Sequence, residues 1–149
     1  MLRFFSLCIA FSILLSCSQD KVDCATFEWG YGYTNGPDLW GQCEADCKGK
    51  LQSPIDIIDV ESDASLETLM QNYQATSIDL EHNGHAIELT YEAGSILTWD
   101  AKDYELKQAH LHGGSEHTVN GERYDLEMHL VHKHNDNDLT VIGIFIEEG

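Results

Sequence analysis

At 149 residues and 42% apolar content, the chain has material for one globular domain. Its 26 Asp and Glu against 8 Lys and Arg give a formal net charge of -18, which excludes a nucleic-acid partner because a phosphate backbone would be repelled. The acidic residues form no long single-sign run, so they read as a solvated surface and say little about substrate.

Residues 1–16 carry one basic residue, Arg3, and an apolar run too short to span a membrane, the pattern of a secretory signal peptide. The run ends Leu14-Leu15-Ser16-Cys17, which resembles a bacterial lipobox with Cys17 lipidated as the new N-terminus. A simple signal cut nearby is the alternative. Either way the chain is expected to be exported, as a periplasmic or outer-membrane-anchored lipoprotein in a bacterium and otherwise as a secreted protein. The only membrane contact is then a lipid at Cys17, with residues 17–25 as a tether and 26–149 as the domain. Export makes Cys24, Cys43 and Cys47 disulfide candidates before metal ligands, although three is odd and their pairing is open.

From Thr26 onward, Gly and Pro punctuate an aromatic stretch through Trp29, Tyr31 and Trp40, which reads as a packed irregular arm of loops and turns. Asp59 to Gln74 holds few signals, with Ser65 to Met70 either a short helical turn or a loop. Strands are expected at Ile78 to Leu80, Ala86 to Tyr91 and Ser95 to Trp99, with His85 in the turn Glu81 to His85. Alternation in a strand from Tyr104 to His112 turns His110 and His112 to one face, with Leu111 opposite. In Tyr124 to His132 it sets Glu127, His129 and Val131 against Leu126, Met128 and Leu130. Gly113 to Gly121 separates the two strands and suits an antiparallel hairpin, which brings His129 to His110 and His112. Three neutral imidazoles leave one tetrahedral position of a zinc ion open, the arrangement of a catalytic rather than a structural site. Glu127 lies two residues from His129, a carboxylate on that histidine's own face. Leu139 to Ile146 is almost wholly apolar and β-branched, the pattern of a central strand buried on both faces.

Several blocks together resemble the alpha class of carbonic anhydrases, in that family's order. They are Trp29-Gly30-Tyr31-Gly32, Asn35-Gly36-Pro37-Asp38-Leu39-Trp40, Gln52-Ser53-Pro54-Ile55-Asp56-Ile57, Asn83-Gly84-His85, Gln108 to Thr118, and Glu127 to His132. The resemblance implies a mainly β fold with a central, mostly antiparallel twisted sheet and few short helices. It implies that Zn2+ is held by His110, His112 and His129, with Gln108, Glu127 and His117 around them. His85 matches the family's proton shuttle, a role suited to an imidazole, and Asn83 and Tyr31 match its solvent network. Val131 and Val141 match the apolar wall that accepts carbon dioxide. Glu116 matches a glutamate that accepts a hydrogen bond from a threonine hydroxyl, which in turn orients the nucleophile.

The sequence also departs from the family. Ala109 and Gly113 stand where bulky aromatic residues are frequent, His82 where a polar amide is common, and Glu88 where an amide is frequent near the active-site rim. The family's domain continues past Gly149, with the threonine and a cysteine partner for Cys47, so the chain is expected to be the N-terminal part of a domain truncated at its C-terminus. The function these readings imply is reversible, zinc-dependent hydration of carbon dioxide to bicarbonate and a proton. The rival is a catalytically silent zinc-binding or surface-interaction module, separable by whether the purified chain shows chelator-sensitive hydration.

Overall fold

The computed structural model describes residues 21–135 and 137–149; Cys17 and the signal segment lie outside them. The chain divides after Gly49 into two compact units.

The first unit holds the aromatic arm. Its helix α1, Pro37–Cys43, corrects the all-irregular reading: Pro37 opens it with φ already set, and Asp38 places a negative charge in the first turn. A 3-10 turn, Ala45–Lys48, follows. Trp40 Nε1 donates to the carbonyls of Gly30 (3.1 Å) and Asn35 (2.9 Å), which ties the helix to the loop before it. A Cβ on Gly30 would lie 2.6 Å from Asn35 Nδ2, so a side chain there would displace the Asn35 amide. A Cys24–Cys43 disulfide joins the start of the arm to the end of α1.

The second unit is β throughout its regular structure: β1 Asp56–Ile57, β2 Met70–Asn72, β3 Leu80–His82, β4 Ile87–Thr90, β5 Ile96–Trp99, β6 Lys102–Gly113, β7 Thr118–Val119, β8 Leu126–Asn135 and β9 Asp138–Ile146. Ser65 to Met70 forms no helix. β1 and β7 pair in parallel, held by Asp56 Oδ1, which accepts from Thr118 Oγ1 (2.7 Å) and Gly121 N (2.9 Å). The other seven strands form one antiparallel sheet. β6 is its spine. One of its edges pairs with β8 along its length, while the other serves β5 at Lys102 to Glu105 and β4 at Gln108 to Leu111.

A β-bulge decides which side chains of β6 face the core. Leu106 lies opposite His132 and Gln108 opposite Val131, so Lys107 is an extra residue in β6. Before it, Tyr104 and Leu106 point inward; after it, Ala109 does. Strict alternation from Leu106 would have sent Gln108, His110 and His112 into the core. Leu106, Ala109 and Leu130 centre that core, with Tyr73, Leu89, Tyr91, Met128 and Ile142 packed around them.

β9 is paired with β8, as its apolar run suggests, yet it is not buried on both faces. No strand among the described residues flanks its other edge, and Leu139, Val141 and Ile144 are exposed. An apolar β-branched run reports a pleated environment, not how many neighbours cover it.

Candidate metal centre

The registers Glu81–Glu88, Glu88–His110, His110–His129 and His129–Gly143 set five residues in a line across β3, β4, β6, β8 and β9. Directly opposed residues share a face, so this line defines the histidine face of the sheet. His112 lies opposite Glu127 on it, and Gln108 opposite Val131. The three imidazoles gather with ring centroids 4.7–5.3 Å apart, and one ligand atom from each lies within 4.8 Å of the others.

Neighbours fix which nitrogens face inward. Gln108 Oε1 is 2.7 Å from His110 Nδ1; an amide oxygen only accepts, so Nδ1 carries the proton and Nε2 keeps its lone pair. Glu127 Oε1 is 3.0 Å from His129 Nε2, which leaves Nδ1 for the other side. Burial, then the neighbouring imidazoles, hold His110 below the ordinary histidine range, with Glu88 and Glu116 opposing. Burial also lowers His112 against the pull of Glu116. These rings are neutral near pH 7, and the donor set fits a borderline divalent ion.

Glu127 is the brace of the centre. It is 1% exposed, and its Oε2 accepts the backbone N–H of Glu116 and of His117, both at 2.9 Å. Its Oε1 lies 2.7 Å from His117 Nδ1. Burial pushes this carboxyl upward, but the His117 and His129 hydrogen bonds outweigh it and hold it below the usual carboxylate range. His117, Glu127 and His129 also have metal-ligand spacing, but these hydrogen bonds account for their closeness. His117 Nε2 in turn lies 3.4 Å from Ser53 Oγ. A Cβ on Gly143 would sit 2.5 Å from Glu127 Oε1, so β9 passes only as glycine.

A cleft of about 440 Å³ opens on this face, where Ser53, Pro54, Ile57, Val141 and Phe145 meet Glu116, His117, Glu127, His129 and Gly143. Val131 is half-buried opposite Gln108. Glu116 Oε2 lies 3.3 Å from His112 Nε2 and 3.7 Å from His129 Nδ1. His85 is exposed at the end of a turn shaped by Asn83, whose Oδ1 accepts the N–H of His85 (3.0 Å) and of Ala86 (2.9 Å). Asn83 Nδ2 donates to Glu88 Oε2 at 3.2 Å, which connects that turn to the line of residues leading to His110. Gly84, at φ +96°, gives the turn a left-handed residue. His82 Nδ1 accepts from Gly84 N at 3.1 Å.

Tyr31 stands in the first unit, edge-on to Trp29 and Trp40 with centroids 6.1 and 5.7 Å away. Cys47 is free and exposed. The model of eukaryotic-type carbonic anhydrases matches residues 35–149. The chain belongs to the carbonic anhydrase family. It is 40% identical to a carbonic anhydrase of Nostoc over 142 residues, covering 90% of this chain and 54% of that one. It is 37% identical to dioscorin DB3L of Dioscorea polystachya over 154 residues, covering 97% and 56%. A hyperthermostable carbonic anhydrase from an active hydrothermal vent chimney superposes with a TM-score of 0.75 at 41% identity, covering 82% of this chain and 56% of that structure. The chain thus spans about half the length of the curated relatives it matches. The mainly β, antiparallel fold expected for the family is the one observed.

Three features of the centre escaped the sequence reading. The Lys107 bulge was signalled by inward parity slipping from Tyr104 and Leu106 to Ala109. Gly143 was signalled by a lone glycine in a β-branched run, the mark of a close approach. Nothing local marked Ser53, Pro54 and Ile57 as cleft residues.

Proposed function

We propose that this chain is the metal-binding part of a carbonic anhydrase, with zinc on His110, His112 and His129 and carbon dioxide or bicarbonate as its small-molecule substrate. The observation that carries the reading is the convergence of three imidazoles from two paired strands, two with their outward nitrogens engaged by Gln108 and Glu127. The chemistry the ion supplies when bound is activation of water to hydroxide near neutral pH. The chain's own residues supply the rest. Gln108 and Glu127 hold the imidazoles in register, Glu127 itself being locked by Glu116 N, His117 and Gly143. Val141, Ile57 and Phe145 give the cleft an apolar side that suits an uncharged substrate. Asn83 shapes the turn that presents His85 to solvent, where an imidazole can pass protons to buffer.

The test is hydration of carbon dioxide by the purified chain, followed in stopped flow with a pH indicator. The expected result is stoichiometric zinc and a rate that a chelator abolishes and zinc restores, both absent in His110→Ala. A rate equal to the buffer blank with zinc bound would leave the rival reading, a zinc-binding module without turnover. We further infer export with lipid at Cys17; Cys17→Ser should then move the protein from the membrane fraction to the soluble one, and an unchanged partition would sink that inference.

A further inference from the structure

We propose that Glu88 is a positioning residue for proton transfer: by accepting a hydrogen bond from Asn83 it fixes the turn that carries His85. The proposal rests on the carbonic anhydrase reading and gives a role to a carboxylate on the histidine face that the reading does not use.

The turn between β3 and β4 is held largely by side chains. Gly84 N donates to His82 Nδ1 at 3.1 Å, and His85 N and Ala86 N donate to Asn83 Oδ1 at 3.0 and 2.9 Å. The main-chain bond that closes the turn, from Asn83 N to Ala86 O at 3.2 Å, also starts from Asn83. The course of the backbone at His85 therefore depends on which way the Asn83 amide is turned. With Oδ1 taken by two N–H groups, Nδ2 faces β4, where Glu88 Oε2 accepts from it at 3.2 Å. A carboxylate only accepts, so Glu88 admits one orientation of that amide. A flipped amide would set oxygen against oxygen at Glu88, and an NH2 group against two backbone donors.

Glu88 also ties the turn to the metal face. Asn83 and His85 are exposed, whereas Glu88 is half-buried on β4 directly opposite His110. Stability does not account for a carboxylate here, because Glu81 stands directly opposite it on β3 and like charges so placed repel. The family resemblance gives His85 the carriage of protons between the centre and buffer, a task that depends on where the imidazole is held.

The experiment compares wild type with Glu88→Ala and Glu88→Gln in the full chain by two readouts. In the metal-free proteins, amide hydrogen exchange followed by NMR should show the His85 and Ala86 N–H groups exchanging about five-fold faster in Glu88→Ala, the scale of one lost hydrogen bond. Glu88→Gln keeps an acceptor oxygen and should stay near wild type. In the zinc-loaded proteins, stopped-flow hydration in weak buffer should show kcat lowered on the order of ten-fold in Glu88→Ala with kcat/KM unchanged, and added imidazole should restore kcat. His85→Ala should show the same split, and Glu88→Ala should cost nothing further in that background. Unchanged exchange in Glu88→Ala would overturn the positioning, and faster exchange with unchanged kcat would overturn its part in proton transfer. A fall in kcat/KM as large as that in kcat would place the effect at the metal or substrate instead, and equal losses in Glu88→Gln and Glu88→Ala would show that charge acts rather than the hydrogen bond. Folded wild type that binds zinc without hydrating carbon dioxide would remove the reading beneath the proposal, while the exchange readout still decides whether Glu88 holds the turn.

Discussion

Glu127 is the residue on which the centre's geometry turns, because one buried carboxylate accepts from two backbone N–H groups and faces two imidazoles. In Glu127→Gln, one oxygen is replaced by an NH2 group that meets donors, not acceptors. Metal affinity should fall about 10–100-fold, measured by chelator competition, which is the usual cost of losing the partner behind a ligating histidine. Stability of the metal-free chain should fall by about 1–3 kcal/mol in urea denaturation, the cost of leaving buried donors unmet. Gly143→Ala attacks the same contact from the other strand, since its Cβ would press on Glu127 Oε1 at 2.5 Å. The expected loss is about 1–3 kcal/mol by overpacking, with weaker metal binding. In the double variant Glu127→Ala/Gly143→Ala the alanine at 143 should cost far less than it does alone. Equal costs in both backgrounds would mean that Gly143 is needed for something other than Glu127.

At the scale of elements, what the sequence disclosed depended on how local the determinant was. Alternation in β8 needs only i and i+2, so Glu127, His129 and Val131 were assigned to one face from their spacing, and His110 with His112 likewise. The bulge between them and Leu106 was missed because it is a property of two strands paired, not of one. β9 shows the same limit: its apolar run fits a covered strand, but cover comes from neighbours, and among the described residues only β8 pairs with it. The helix α1 was hidden by its own Gly-Pro-Asp start, which serves a turn and a helix N-terminus alike. The pairs on either side of Lys107 yield a specific expectation. With Lys107 deleted, Leu106 opposite His132 is followed directly by Gln108 opposite Val131, which is regular antiparallel register. The histidine face should survive, and zinc binding with it. The deletion does lose the Tyr91 N–Lys107 O hydrogen bond of 3.0 Å, so stability should drop by about 1 kcal/mol. Loss of metal binding in a folded deletion variant, seen by titration and circular dichroism together, would show that the bulge itself aims the ligands.

Over the whole molecule, two effects compete as pH falls from 7.5 to 5.5. The chain's net charge of -18 is relieved by acid, which favours the compact state. Ordinary carboxylates titrate at about 3.9–4.3, however, so little of that relief arrives in this window. A histidine of the unfolded chain, such as His132, does take up its proton in this window. In the folded chain the His132 ring is fully buried, stacked on Tyr73 with Nε2 2.8 Å from the phenol oxygen, and burial holds it below its ordinary value of 6.5. The unfolded chain therefore gains a proton near pH 6.5 that the folded chain refuses until lower pH. Unfolding is favoured progressively as pH drops below 6.5, and stability rises again as pH is raised. His110 and His112 are lowered in the same direction, so the metal-free protein should lose stability in acid at more than one group's rate. Each such group contributes up to about 1.4 kcal/mol per pH unit between its two pKa values. His132→Gln removes one of them while keeping a polar side chain beside Tyr73. Urea denaturation of the metal-free proteins at pH 7.5 and 5.5 should show wild type losing about 1 kcal/mol more than the variant over that interval. Parallel losses would mean that His132 charges as readily in the fold as outside it, and that burial in the core does not govern its protonation.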